Sequence, residues 1–187
     1  MMKKILFALI STILLISCAK IEVFHSAVEN PKLDNYTTFS FLSWDTGISK
    51  FLNEEDEEKL QNLIRKEFES RGLAYTRSGK GDIHIGVHIL FKTPKGKEMY
   101  VEYYEENAAG YNFTDTLFYG NPEGEANRPV GTLIIDVFDR KSKTLLWQGG
   151  AVGIIQAGTG GPEPLMEKAV TKVFELYPVA PIKNTKK

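Results

Sequence analysis

The chain has 187 residues, 25% of them charged and 42% hydrophobic, which excludes wholesale disorder, a coiled-coil rod and a collagen-like repeat. A formal net charge of -1 gives no electrostatic footprint for nucleic acid, so no nucleic-acid partner is expected. The single cysteine excludes an intramolecular disulfide framework and a cysteine-based zinc site.

Met1-Met2-Lys3-Lys4 is a short basic start, followed by an apolar run from Ile5 to Ile16 broken only by Ser11 and Thr12. As a helix this run reaches about 18 Å, well short of the roughly 30 Å hydrocarbon core of a bilayer. A basic start and a short apolar stretch read as a secretory signal. Leu15-Ile16-Ser17-Cys18 then resembles the bacterial lipobox: an aliphatic residue, a tolerant position, a small residue and a cysteine. Cys18 is the expected lipidation site, its thiol receiving diacylglycerol. Residues 1–17 are assigned to a lipoprotein signal peptide and 18–35 to the lipidated cysteine and a short tether. Residues 36–178 form a single domain, and 179–187 a flexible tail. Ala19 stands where an Asp would resemble an inner-membrane retention signal, so the outer membrane is the expected location.

Within the domain, Tyr36 to Trp44 predicts a strand with Phe39 and Phe41 on one face. Asn53 is placed to cap a helix whose first turn, Glu54 to Glu58, is acidic. Leu60, Leu63, Ile64 and Phe68 form its apolar stripe, and Gly72 its stop. Asp82 to Phe91 alternates: Ile83, Ile85, Val87, Ile89 and Phe91 face one way, His84, Gly86 and His88 the other. Met99 to Tyr104 predicts a weaker strand paired to it. Thr132 to Phe138 and Thr144 to Ile155 predict a hairpin around the polar turn Asp139 to Lys143. A Gly-rich loop, Gly158 to Pro162, leads to a second helix with Met166, Ala169, Val170, Val173, Phe174 and Tyr177 on one side. This order predicts an α+β two-layer sandwich. One mostly antiparallel sheet of about four to six strands carries two amphipathic helices on one face.

Several of these segments together resemble the DUF4136 lipoproteins, a bacterial family of unknown function. The resemblance runs through Leu33-Asp-Asn-Tyr-Thr-Thr-Phe39, the helix ending in Arg71-Gly72, and Asp82-Ile83. It continues through Gly131-Thr-Leu-Ile-Ile-Asp-Val-Phe-Asp139, Leu146-Trp147, Gly149 and the closing Tyr177-Pro178. It implies a cell-envelope lipoprotein with an α+β fold, and it implies no catalytic residues.

The chemistry-bearing side chains give no reactive constellation. His84 and His88 are four apart on a strand, so their Cα atoms are about 13 Å apart and one metal ion cannot take both; they read as half-exposed sheet histidines. His25 reads as incidental. Asp136 and Asp139 flank a turn and read as solvated. The acids at 54–58 need no cation, since they suit a helix start. Gly158-Thr-Gly-Gly161 lacks the Lys-Ser/Thr of a phosphate-binding loop. No catalytic site, metal or cofactor is therefore expected.

The richest feature is aromatic. Tyr103, Tyr104, Tyr111, Phe113, Phe118 and Tyr119 crowd one segment, with Tyr100 just before them. Two readings apply: ordinary core packing, or a partner or ligand surface. The expected function is a non-enzymatic, lipid-anchored envelope protein that binds another envelope component. The alternatives are a carrier of a lipid or glycan fragment and, behind it, an envelope hydrolase.

Overall fold

The computed structural model describes residues 21–29, 31–43, 52–91, 103–105, 110–111, 130–156 and 163–182. Cys18, Phe113, Phe118, Tyr119 and the glycine-rich loop lie outside them. The strands are β1 (Glu22–Ala27), β2 (Thr38–Phe41), β3 (Ala74–Tyr75), β4 (Ile83–Phe91), β5 (Val130–Asp139) and β6 (Leu145–Gln156). The helices are α1 (Glu54–Ser70) and α2 (Glu163–Phe174), and a 3-10 turn spans Leu33–Asn35. All six strands join one mixed sheet in the order β1-β6-β5-β4-β2-β3. The β1-β6-β5-β4 side is antiparallel, and β2 runs parallel to both β4 and β3. The α+β architecture with one sheet and two amphipathic helices is the one the sequence predicts.

α1 forms where its caps and stripe agree. Asn53 Oδ1 accepts the Asp56 N–H at 2.9 Å, and Asn53 Nδ2 donates to Asp56 Oδ2 at 3.0 Å. Leu60, Ile64 and Phe68 are fully buried. The helix ends in a Schellman motif: Leu73 N–H bonds the Phe68 carbonyl and Gly72 N–H the Glu69 carbonyl, with Gly72 at φ 90°. The predicted stripe from Met166 to Tyr177 is buried, with α2 ending at Phe174 and Tyr177 in the turns that follow it. Both helices close over the sheet face carrying Phe39, Ile83, Ile85, Val87, Ile89, Leu133, Ile135, Val137, Trp147 and Ala151. Gly149 lies on this face beneath α2, where a Cβ would overlap the Trp147 ring and Val173. Among the described residues no helix is long and apolar enough to cross a membrane.

Three expectations are corrected. The segment assigned to a tether, 18–35, contributes β1, which pairs along six residues of β6. Gly150 makes this possible, because the Phe24 ring occupies the space of its missing side chain. The tail assigned to 179–187 is fastened in its first part: Val179 carbonyl accepts from Arg71 Nε at 2.8 Å, and Ile182 N–H bonds the Ser70 carbonyl. Residues 103–105 are helical where a strand over 99–104 was expected. Adjacent residues on a strand point to opposite faces, whereas Tyr103 and Tyr104 are both buried. A helical turn lets both rings face the sheet.

The start of β4 is locked to the start of β2. Asp82 Oδ2 accepts from the backbone N–H and hydroxyl of both Thr37 and Thr38, at 2.8–3.2 Å. The Asp82 N–H returns a bond to Thr38 Oγ1 at 3.0 Å. These hydrogen bonds, led by the Thr38 hydroxyl, hold the Asp82 carboxyl below its ordinary pKa.

Candidate functional site

The second face of the sheet carries most of the polar chemistry. Strand alternation places His84, Gly86 and His88 of β4 there, with Ile134, Asp136 and Phe138 of β5 and Gln148 of β6. Tyr103, Tyr104 and Tyr111 pack on this face with Ile134, Phe138 and Leu145. The tyrosine rings meet edge to face: Tyr104 on Phe138 at 5.4 Å between centroids, Tyr111 on Phe138 at 5.0 Å, and Tyr103 on Tyr104 at 5.1 Å.

At the centre is a buried carboxylate. Asp136 is 0% exposed, as are His88 and Gln148, and Tyr104 is 1% exposed. The Tyr104 hydroxyl donates to Asp136 Oδ2 at 2.5 Å, and Gln148 Nε2 donates to Oδ1 at 2.6 Å. The Tyr104–Asp136 length is that of a charge-assisted O–H···O bond. His88 Nε2 lies 3.0 Å from the Tyr104 oxygen and 3.5 Å from Asp136 Oδ2. The Tyr104 proton is committed to the carboxylate, so His88 Nε2–H donates to the Tyr104 oxygen. Gly86 makes room for this arrangement: a Cβ there would overlap the Tyr104 hydroxyl. The four side chains are linked by hydrogen bonds, the arrangement that lets a carboxylate stay buried.

A second histidine–tyrosine pair lies nearer the sheet end. His84 Nε2 is 2.9 Å from the Gly79 carbonyl, which can only accept, so His84 carries its proton on Nε2. Its Nδ1 then accepts from the Tyr111 hydroxyl. Burial lowers the His84 pKa against the pull of the Gly79 carbonyl, and Arg140 and Lys143 push the same way as burial. The imidazole is therefore neutral at physiological pH, as this bonding requires. Burial also raises the Tyr111 pKa. Lys143 Nζ stands 5.4 Å from the centre of the Tyr111 ring.

These placements revise the reading of the candidate residues. Of the two readings for Tyr103 and Tyr104, core packing or a candidate partner or ligand surface, the first applies: they are 4% and 1% exposed. The Tyr103 hydroxyl donates to the Ser43 carbonyl. Tyr111 is partly buried between His84, Phe138 and Lys143. His88 is fully buried instead of half exposed. Asp136, expected to be solvated beside a turn, lies in mid-strand opposite Gln148. Asp139 does sit at the turn, where it accepts the Ser142 N–H at 2.6 Å and the Tyr36 hydroxyl at 2.9 Å. The unit His88–Tyr104–Asp136–Gln148 was missed because its members come from three strands and a separate helical turn. The available signal was the alternation itself, which sets Asp136 on the face opposite Leu133, Ile135 and Val137.

Comparison with known proteins agrees with this architecture. No curated protein matches the sequence significantly. A crystal structure of a DUF4136 family protein from Bacteroides thetaiotaomicron is similar with a TM-score of 0.53 at 15% identity, covering 83% of this chain and 94% of that one. A PDZ domain protein from Parabacteroides distasonis is similar with a TM-score of 0.52 at 17% identity, covering 94% of this chain and 40% of that one. At these identities the likeness is one of fold. The family model described as a domain of unknown function, DUF4136, matches residues 23–179, and the chain belongs to that family.

Proposed function

We propose that the protein is a lipid-anchored component of the cell envelope, without catalytic activity, that binds another envelope component. The observation that carries this reading is the sequence Leu15-Ile16-Ser17-Cys18 closing a basic and then apolar start. Each buried acyl methylene contributes about 0.8 kcal/mol, so several chains on Cys18 anchor the domain stably. The sheet begins at Glu22, so only a few residues would separate the acylated cysteine from the folded domain. Ala19 supports the outer membrane over the inner. The reading without catalysis is supported by the burial of Asp136, which accepts from Tyr104 and Gln148 beneath tyrosine rings. The carrier alternative needs space under the aromatic segment. Tyr104 and Tyr111 occupy that face against Phe138, which favours surface binding.

Metabolic labelling with a palmitate analogue, followed by membrane fractionation, tests the anchor. Wild-type protein should take up label and sediment with membranes. Cys18→Ala should lose the label and appear as soluble protein or unprocessed precursor. Unchanged label and unchanged sedimentation would defeat the reading.

A further inference from the structure

Charge is segregated along the sheet, with a group of cations at one end. The β5–β6 turn supplies Arg140, Lys141 and Lys143, and the loop between β3 and β4 supplies Arg77 and Lys80. The Gly79–His84 bond brings the two loops together, because Arg140 and Lys143 both act electrostatically on His84. The Arg140 N–H also bonds the Asp82 carbonyl at 3.1 Å. Two nearby carboxylates are already engaged: Asp82 by Thr37 and Thr38, Asp139 by Tyr36 and Ser142. Among the described residues Arg77, Lys80, Arg140 and Lys141 have no ion pair. Arg140 Nε is buried with no hydrogen-bond acceptor. Of the exposed acids at this end, Glu29 and Asp34 lie on the connection into β2, and Glu69 and Glu175 lie at the ends of the helices.

Among the described residues the opposite end carries acids. α1 finishes beside the basic end, since Ala74, just after it, bonds the Thr37 carbonyl. Its acidic first turn lies a helix length away, about 25 Å at 1.5 Å per residue. β1 also enters at that far end, with Glu22 opposite Val152 while β6 opens at Leu145. That separation is about 23 Å at 3.3 Å per residue.

We infer that the basic end is a docking surface for an acidic segment of a protein partner, its carboxylates received by Arg77, Lys80, Arg140 and Lys141. The guanidinium fork of an arginine suits a carboxylate. The choice of a protein over membrane headgroups rests on the anchor reading: the chain enters from Cys18 at the other end, so its own bilayer lies away from this surface. Charge complementarity would also speed and orient the encounter.

The test is binding of a fluorescent oligo-glutamate peptide to the detergent-solubilised protein, measured by anisotropy across a salt series. It does not require acylation, so its failure is separate from failure of the anchor. Arg77, Lys80 and Lys141 are exposed, so replacing all three with Gln should preserve the fold, as near-ultraviolet circular dichroism will report. This variant should bind about tenfold more weakly and with a shallower salt dependence. Lys59→Gln, a cation in the first half of α1 towards the acidic end, should bind like the wild type. The inference is overturned by no binding at low salt, or by equal losses in both variants. It is also overturned if phosphatidylglycerol vesicles bind as tightly as the peptide and the triple variant abolishes that binding.

Discussion

Tyr36 and Asp139, which are 103 residues apart in sequence, are joined by a 2.9 Å hydrogen bond from the phenol to the carboxylate. Tyr36 leads into β2 and Asp139 closes β5, so the bond ties two strands that β4 separates. Both residues lie in segments that resemble the family, and the bond gives a physical reason for each. Burial, then the Asp139 bond and charge, push the Tyr36 pKa up to about 12. A phenol whose folded pKa is raised contributes stability that is complete below its unfolded pKa and is lost as pH rises through the folded one. Unfolding midpoints in urea should therefore fall between about pH 10 and pH 12. Tyr36→Phe should cost about 1 kcal/mol at neutral pH and make that alkaline fall shallower. Burial also raises the Tyr177 pKa, so a residual alkaline slope should persist in the variant. A slope identical to wild type would show that the Tyr36 bond does not contribute.

Asp82 gives the acid counterpart. Its pKa is lowered mainly by the Thr38 hydroxyl, with further bonds from both threonines outweighing desolvation. A carboxylate with a lowered folded pKa contributes stability present above its unfolded pKa and lost as pH falls through the folded one. That window lies below about pH 4. Asp82→Asn should cost about 1–2 kcal/mol at neutral pH. It should also flatten the acid limb of the stability curve, as read by urea midpoints at stepped pH. Asp139 is likewise lowered, with bonds from Ser142 and Tyr36 overcoming its burial, so the flattening should be partial.

The elements written into local periodicity were legible from sequence. Leu60, Ile64 and Phe68 recur at helical spacing, and Ile83 through Ile89 at strand spacing, so both faces followed without knowledge of their partners. β1 was not legible, because its support lies in β6: Phe24 packs where Gly150 has no side chain. Tyr103 and Tyr104 looked like strand residues because aromatics favour strands, but burying both at once requires the helical turn. Asp136 looked like a turn residue because Asp139 follows closely. Its role depends on the β4-β5-β6 register, which sets Gly86 and Gln148 on either side of it. Side chains whose partners are distant in sequence are where local pattern stops carrying information.

The buried carboxylate yields a sharper prediction. Asp136→Ala leaves the Tyr104 hydroxyl and the Gln148 amide without their acceptor, so it should cost about 3 kcal/mol or more. Gly86→Ala attacks the same unit from below by displacing the Tyr104 hydroxyl, at a cost of about 1–3 kcal/mol. The double variant should cost less than the sum, because either change already breaks the Tyr104–Asp136 bond. Additive losses in a double-mutant cycle would mean the two positions act through separate interactions.

Arg71 joins the ends of the two helices, and its substitution tests how far that junction organises the helical layer. It is 8% exposed. Its Nη1 binds Glu67 Oε2 at 2.6 Å, Nη2 the Phe174 carbonyl at 3.0 Å, and Nε the Val179 carbonyl at 2.8 Å. The guanidinium also lies 5.1 Å from the Phe174 ring centre. Phe174 ends α2, so a cation there meets the negative end of that helix. A lysine keeps the charge but not the planar fork, and cannot reach all three partners from one ammonium. Arg71→Lys should therefore cost about 2–3 kcal/mol in urea unfolding, with Arg71→Ala costing more through the stranded Glu67 carboxylate and lost packing. Hydrogen exchange should quicken first at Ile182, whose N–H bonds the Ser70 carbonyl beside the arginine. A lysine variant as stable as wild type, with slow exchange there, would show that charge alone holds the junction and that the fork is dispensable.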